Sequence, residues 1–507
     1  MKKNDVLLGL AAISLLVTGC GTAESDSYYE MNLSVPMYDA LYNGSNTNNV
    51  PSTSQGDKFE GYTDNPFVKT AQQSVSTFSV DADGASYAIV RRYLENGFNV
   101  DPSSVRIEEF LNYFTFNYNS PSNGENVAIN AEVGDCPWNT EHKLLRLGIK
   151  GKELTASEMP RANFVFLIDV SGSMASSDKL FLLKSGLKQL LYQLNPDDRI
   201  SIVTYSGSVE KLLESTPVKE ARKIERVIDM LSASGCTAGG EALKIAYEEA
   251  LTNYDPKCNN RVIMGTDGDF NVGVTNTEAL VEMVESYASK GIYMTCLGFG
   301  YGNLNDAMME KISNAGNGTY HYIDSEGEMT KVFVHERSHF VSVANDAKCQ
   351  ITFDEKLVSE YRLIGYENRV MEAKDFEDDK KDAGEIGAGQ TITALYEIVP
   401  NISTNTSLSS PFVTFDFRYK NTLQSESRPL QLKLTADLML NKNERSDEFY
   451  FAAGIAVYGM LLRESPYKGN ATTKMAINLV SRGLSYDPHN YRAELLSMIG
   501  KTEELKK

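Results

Sequence analysis

Five side chains in the middle of this 507-residue chain have the types and spacing to hold a metal ion. Asp169, Ser171 and Ser173 alternate in Asp169-Val170-Ser171-Gly172-Ser173, directly after the apolar run Phe164-Val165-Phe166-Leu167-Ile168. Asp267 follows a second apolar run, Val262-Ile263-Met264, in Thr266-Asp267-Gly268. Thr237 stands in Ser234-Gly235-Cys236-Thr237, just ahead of a helical pattern. Two carboxylates and three hydroxyls make an all-oxygen set of low charge. Such a set suits a hard cation that retains some of its water: Mg²⁺ first, with Mn²⁺ or Ca²⁺ as substitutes. No His stands within the Asp169–Ser173 motif to activate a Ser, and neither a Gly-x-Ser-x-Gly elbow nor a phosphate-cradling glycine loop occurs. Binding without catalysis is the expected chemistry, so the protein is read as no enzyme.

The surrounding pattern explains how residues so far apart could meet. From 161 to 343, continuous apolar runs alternate with segments of helical spacing, such as Leu180, Leu183, Leu187, Leu190, Leu191 and Leu194. Strands are expected at 164–168, 200–205, 209–213, 261–264, 292–299 and 319–323. Helices are expected near 180–194, 219–232, 240–253, 276–290 and 304–315. This is a doubly wound, mostly parallel six-stranded α/β domain. In the order 3-2-1-4-5-6, strands one and four are neighbours and their carboxyl ends flank the switch point, where ligands bind. The loops carrying Asp169, Thr237 and Asp267 then converge on one crevice.

On these residues the chain resembles the von Willebrand factor type A family. That family's metal-ion-dependent adhesion site has an Asp-x-Ser-x-Ser motif, matched by Asp169, Ser171 and Ser173, a separate Thr, matched by Thr237, and a strand-end Asp, matched by Asp267. The resemblance implies hydroxyls bound directly to the metal, one or both Asp side chains acting largely through water, and an open position for an acidic side chain of a protein ligand. The flanks, including Cys136-Pro137-Trp138, resemble bacterial lipoproteins that join such a domain to a C-terminal domain of uncharacterised role.

A competing motif lies at His335-Glu336-Arg337-Ser338-His339. His-Glu-x-x-His on a helix aligns two imidazoles for zinc and offers the Glu as a base, the arrangement of a metallopeptidase. Arg337 stands where such helices bury an apolar residue, and neither Glu355 nor Glu360 lies on an obvious following helix to serve as third ligand. A helix linking two domains explains the same residues. The remaining alternative is a structural scaffold whose metal site stays unoccupied.

The chain's start points to export. Lys2 and Lys3 precede the apolar stretch Val6 to Val17, which is too short to span a bilayer and ends in Val17-Thr18-Gly19-Cys20. Small residues before a lone Cys resemble a bacterial lipobox, so 1–20 is read as a lipoprotein signal with Cys20 as the lipidated residue. The expected location is the bacterial cell envelope, outside the cytoplasm and anchored to the membrane. Residues 21–70 are polar and without period, hence a flexible tether; ~45 such residues reach about 40 Å. Asp and Glu number 68 against 49 Lys and Arg, a net charge of −19, which excludes nucleic acid as a natural partner.

Residues 71–160 are expected to be helical at first, with Asp83 or Ser86 as a cap and Pro102 opening a second helix, and then to form strands across 127–149. Residues 344–445 read as β and are expected to pair with 127–149, making one β domain split by the α/β insertion. Residues 446–507 read as three helices. Five cysteines follow Cys20, an odd number that fits no dense disulfide framework, and a Cys136–Cys349 pairing is left open.

Overall fold

The computed structural model describes residues 56–505 except 81, 237–240, 269–276, 382, 403–406 and 442. Cys20 and Thr237 lie outside the described residues.

The α/β domain is a six-stranded sheet. Its order is Val209–Pro217, Arg199–Tyr205, Ala162–Asp169, Asn259–Thr266, Ile292–Phe299 and Tyr320–Ile323, with only the Val209–Pro217 edge antiparallel. The central strand Ala162–Asp169 is apolar at successive positions because both its faces are covered. Val165 and Leu167 enter one core with the helix Ala242–Thr252, while Phe164, Phe166 and Ile168 enter the opposite core with the helix Leu182–Leu191.

The chain leaves for this domain after the strand Lys143–Gly151 and returns through Ser342–Phe353. Those strands belong to two antiparallel sheets that face each other. One runs Val68–Lys69, Val358–Ile364, Thr391–Pro400, Lys143–Gly151, Val127–Asp135. The other runs Val370–Met371, Val75–Ser79, Ser342–Phe353, Pro411–Lys420, Ser427–Thr435. Leu145, Leu147 and Tyr396 of the first share a core with Phe78, Ile351 and Phe415 of the second. The α/β unit is thus inserted in a β-sandwich assembled from both ends of the chain. Three C-terminal helices, Asp447–Leu462, Thr473–Arg482 and Tyr491–Leu505, close a fourth core with the helix Ile107–Asn112. Asp447–Leu462 has no polar stripe because it is buried all round.

Several expectations need correction. Residues 56–70, assigned to the tether, are docked: Val68–Lys69 pairs with the strand Val358–Ile364, and Lys58 N donates to Leu304 O at 2.8 Å. Val75–Ser79 is a strand inside a sheet, not part of a helix. Neither Asp83 nor Ser86 caps the helix Ala85–Glu95. The Ser86 backbone N–H donates instead to the Glu109 carboxylate at 2.8 Å, and Asp83 accepts from Tyr320 N at 2.7 Å. Cys136 and Cys349 are both free and buried in different cores.

The units meet around one cation. Arg91 projects from the helix Ala85–Glu95 to Asp324 at 2.5 Å, Glu328 at 2.7 Å and Glu494 at 2.7 Å. These acids belong respectively to the end of the α/β sheet, the helix that follows it and the last C-terminal helix. Tyr113 accepts from Arg91 and donates to Glu328 at 2.7 Å, completing the cluster. Asp324 and Glu328 are 2% and 3% exposed, so removing the guanidinium strands buried charge. Arg91→Met is expected to lower unfolding stability by about 3–5 kcal/mol in urea titrations followed by circular dichroism. A loss within 0.5 kcal/mol, roughly the scale of a neutral surface change, would contradict this role.

Candidate functional site

The crevice at the carboxyl end of the α/β sheet brings Asp169, Ser171, Ser173 and Asp267 together. Asp169 closes its strand with no exposed surface, and its carboxylate accepts from Ser171 N at 2.8 Å and from Thr266 Oγ1 at 3.1 Å. Ser171 Oγ lies 3.0 Å from Ser173 Oγ. Asp267 is also fully buried, and its carboxylate accepts hydrogen bonds from Ser173 and Asn303. The segment leading to Thr237 reaches the same place: Gly172 N donates to Gly235 O at 3.0 Å, and Ser234 N donates to Val170 O at 2.7 Å.

Burial raises the Asp169 carboxyl above the usual range; the Ser171 hydrogen bonds oppose this, and the nearby Asp267 charge adds to it. Asp267 behaves oppositely. Burial would raise it, but Lys179 and the hydrogen bonds from Ser173 and Asn303 hold it below the usual range. Lys179 Nζ donates to Asp267 Oδ2 at 2.9 Å and to Ser173 O at 3.0 Å. Two buried carboxylates and two hydroxyls facing one crevice demand positive charge, and the all-oxygen donors fit a hard divalent cation.

Thr266, Lys179 and Asn303 were not singled out from the sequence. Thr266 orients Asp169 and receives the Gly268 N–H at 3.2 Å. Gly268 has φ +96°, and a Cβ there would lie 2.5 Å from Asn305 N, so the Asp267 loop rests directly on the 303–305 loop. That second loop is fastened from the chain's beginning. Asp57 Oδ1 accepts from Gly302 N at 2.7 Å and Leu304 N at 3.1 Å, while its Oδ2 accepts from Arg92 and Tyr93, both at 3.2 Å.

The His335, Glu336 and His339 group does not form the anticipated zinc geometry. The backbone leaves the helical region at Glu336 (φ −112°, ψ 15°), so no continuous helix face carries the pair. His335 instead stacks on His489 at 3.8 Å between ring centroids, with Nδ1 2.8 Å from the Tyr491 hydroxyl. Burial would raise the Glu336 carboxyl, but Lys331, 2.6 Å away, and His339 hold it low. Among the described residues, no group of three or more His, Cys, Asp or Glu side chains is placed to hold a metal. The continuous helix that this motif needs to aim both imidazoles at zinc is therefore not formed at 335–339.

This junction instead carries a pH dependence. Burial, then the Lys331 charge, drives His321 down to about 3, while burial also lowers His339 against the pull of Glu336. His321 is thereby held neutral in the fold and His339 is biased the same way, whereas the unfolded chain titrates near 6.5. As pH falls below 6.5 the unfolded state binds more protons, so this contribution to stability is present above 6.5 and is lost toward about 3. The slope is at most ~1.4 kcal/mol per pH unit for each group. Wild type should therefore lose more stability between pH 7 and pH 5 than His321→Gln, read by denaturant titrations at both pH values; equal losses would contradict the assignment.

Comparison with known proteins places these units. A von Willebrand factor type A domain model matches residues 163–335, a model described as von Willebrand factor matches 53–146, and one described as "Uncharacterized protein YfbK, C-terminal" matches 338–505. The Escherichia coli (strain K12) protein described as "Uncharacterized protein YfbK" is 36% identical over 465 residues, covering 87% of this chain and 80% of its own length. Human inter-alpha-trypsin inhibitor heavy chain H3 is 32% identical over 179 residues, which is 33% of this chain and 20% of that protein. Among solved structures, a von Willebrand factor type A protein from Catenulispora acidiphila has TM-score 0.43 at 16% identity, covering 76% of this chain and 91% of its own. The ArnB paralog VWA2 from Sulfolobus acidocaldarius has TM-score 0.38 at 13% identity, covering 75% and 98%. A von Willebrand A domain implies a role in protein interaction or adhesion. With a relative so similar along most of both chains, and with a middle and a C-terminal domain that match in turn, the chain belongs to the YfbK family of von Willebrand A domain proteins.

Proposed function

We propose that this protein is a non-enzymatic, lipid-anchored component of the bacterial cell envelope that binds a protein partner through a divalent ion, Mg²⁺ or in its place Mn²⁺ or Ca²⁺. The ion would be held by Asp169, Ser171, Ser173, Thr237 and Asp267. The observation that carries this reading is the pair of fully buried carboxylates, Asp169 and Asp267, facing one crevice with Ser171 and Ser173. Bound there, the ion would supply an acceptor for an acidic side chain of the partner, in adhesion or in assembly of an envelope complex. The protein's part is to keep the donors aimed. Thr266 and the Ser171 N–H fix Asp169, and Asn303 fixes Asp267. Anchoring rests on the Gly19-Cys20 junction. No helix among the described residues is long and apolar enough to cross a membrane.

Asp169→Asn keeps one acceptor oxygen, enough for only one of the bonds from Ser171 N and Thr266 Oγ1, which use different carboxylate oxygens, and removes one of the two charges. It is expected to weaken Mg²⁺ binding at least about tenfold in calorimetry, with a melting temperature within a few degrees of wild type, because Asn has the same shape and Asp169 stands at the very end of its strand. Thr237→Ala should weaken partner capture more than Mg²⁺ affinity. Partner capture by Asp169→Asn in EDTA at wild-type strength would refute the metal bridge. Cys20→Ser should move the protein from the membrane to the soluble fraction; unchanged fractionation, with no acyl label on wild type, would refute the anchor.

A further inference from the structure

Lys179 is not a loose surface lysine. Its side chain is 11% exposed, and its ammonium lies between two members of the proposed donor set, 2.9 Å from Asp267 Oδ2 and 3.0 Å from the Ser173 carbonyl oxygen. The stem has a dedicated seat. Gly300 has φ +68°, and a Cβ there would come within 2.0 Å of Lys179 Cε, so the lysine crosses the loop where a side chain is missing. The Gly300 carbonyl is itself held by Arg92 and by the Tyr322 hydroxyl at 2.6 Å. Lys179 belongs to the turn Ser177–Phe181 and leaves the helical region there (φ −123°, ψ −105°), while Phe181 at the end of that turn is 67% exposed.

An ammonium bound to Asp267 and a divalent ion bound by Asp267 compete for one carboxylate and repel each other at that distance. We infer that Lys179 is a built-in competitor at the site: a divalent ion is accepted only when the ammonium withdraws from Asp267, so metal affinity is low and metal entry moves the turn that carries Phe181. The lysine balances half of the buried negative charge by itself, which keeps the donor loops assembled without a tightly held ion. Binding of metal and of partner are then linked, because the partner's carboxylate adds the stabilisation that the metal alone lacks against the lysine. This rests on the metal-dependent reading above.

The direct test titrates the full chain with MgCl₂ alone in a calorimeter. Lys179→Met should bind Mg²⁺ at least about tenfold more tightly than wild type, and adding Asp267→Asn to it should remove the gain. Equal affinities overturn the competition and leave the metal site standing; weaker binding by Lys179→Met overturns it by making the lysine a support. Absence of Mg²⁺ binding in both proteins, each with a cooperative melt, fails the metal reading itself and this inference with it. A second measurement needs no variant. Amine acylation of wild type, read by peptide mass spectrometry against Lys184, should label Lys179 several-fold faster in MgCl₂ than in EDTA. Unchanged or slower labelling overturns the withdrawal.

Discussion

The fold depends on placing a guanidinium where three elements of the chain leave negative charge. Arg91 answers Asp324, Glu328 and Glu494 at once, and no apolar side chain could satisfy acids from an inserted domain, its exit helix and the C-terminal bundle. Arg106 repeats the device a short way along: it pairs with Glu109 on its own segment and with Asp306, 2.7 Å away, at the start of an α/β helix. Buried ion pairs of this kind stabilise little over a well-packed apolar contact, but their geometry admits few alternatives. Here they tie the helix Ala85–Glu95 and the Arg106 segment to the α/β domain and to the last C-terminal helix. Apolar burial supplies the bulk of the stability within each core and says little about how the cores are oriented.

That arrangement also explains why the crevice tolerates two buried carboxylates. Its floor is the packed sheet, and its walls are loops tied down from outside the α/β domain: Arg92 holds the Gly300 carbonyl, and Asp57 holds the 302–304 backbone. The Lys179 ammonium on Asp267 and the hydrogen bonds from Ser171, Thr266, Ser173 and Asn303 offset the mutual repulsion of Asp169 and Asp267.

The α/β sheet was legible in the sequence because strands buried on both faces read as unbroken apolar runs, and because the Asp-x-Ser-x-Ser spacing is local. Asp267 was legible for the same reason, as the end of a second such run. What escaped detection depends on tertiary partners. Lys179 looks like one charge ahead of a leucine-spaced helix, and only the fold brings it to Asp267. Thr266 reads as an ordinary strand residue. Three of the five residues of Val75–Ser79 are Ser or Thr, so its place inside a sheet is invisible until Ser342–Phe353 pairs with it. Asp57 lies in a polar stretch with no period, and its value comes entirely from backbone amides some 245 residues away. The His-Glu-x-x-His spacing shows the converse: a local pattern can fit while the helix it needs ends at Glu336.

The Asp57 strap has a mechanical meaning. Tension applied to the chain ahead of Gly56 is carried first by Asp57 and the Lys58–Leu304 hydrogen bond, before any strand of the sandwich is loaded. Those contacts end on the loop that bears Asn303, one hydrogen bond from Asp267. A short path of contacts therefore joins the chain's leading segment to the crevice, and it runs through a few backbone amides instead of a whole sheet. Stripping Asp57 from the loop would remove the bonds that fasten Gly302 and Leu304, the two neighbours of the residue that braces Asp267.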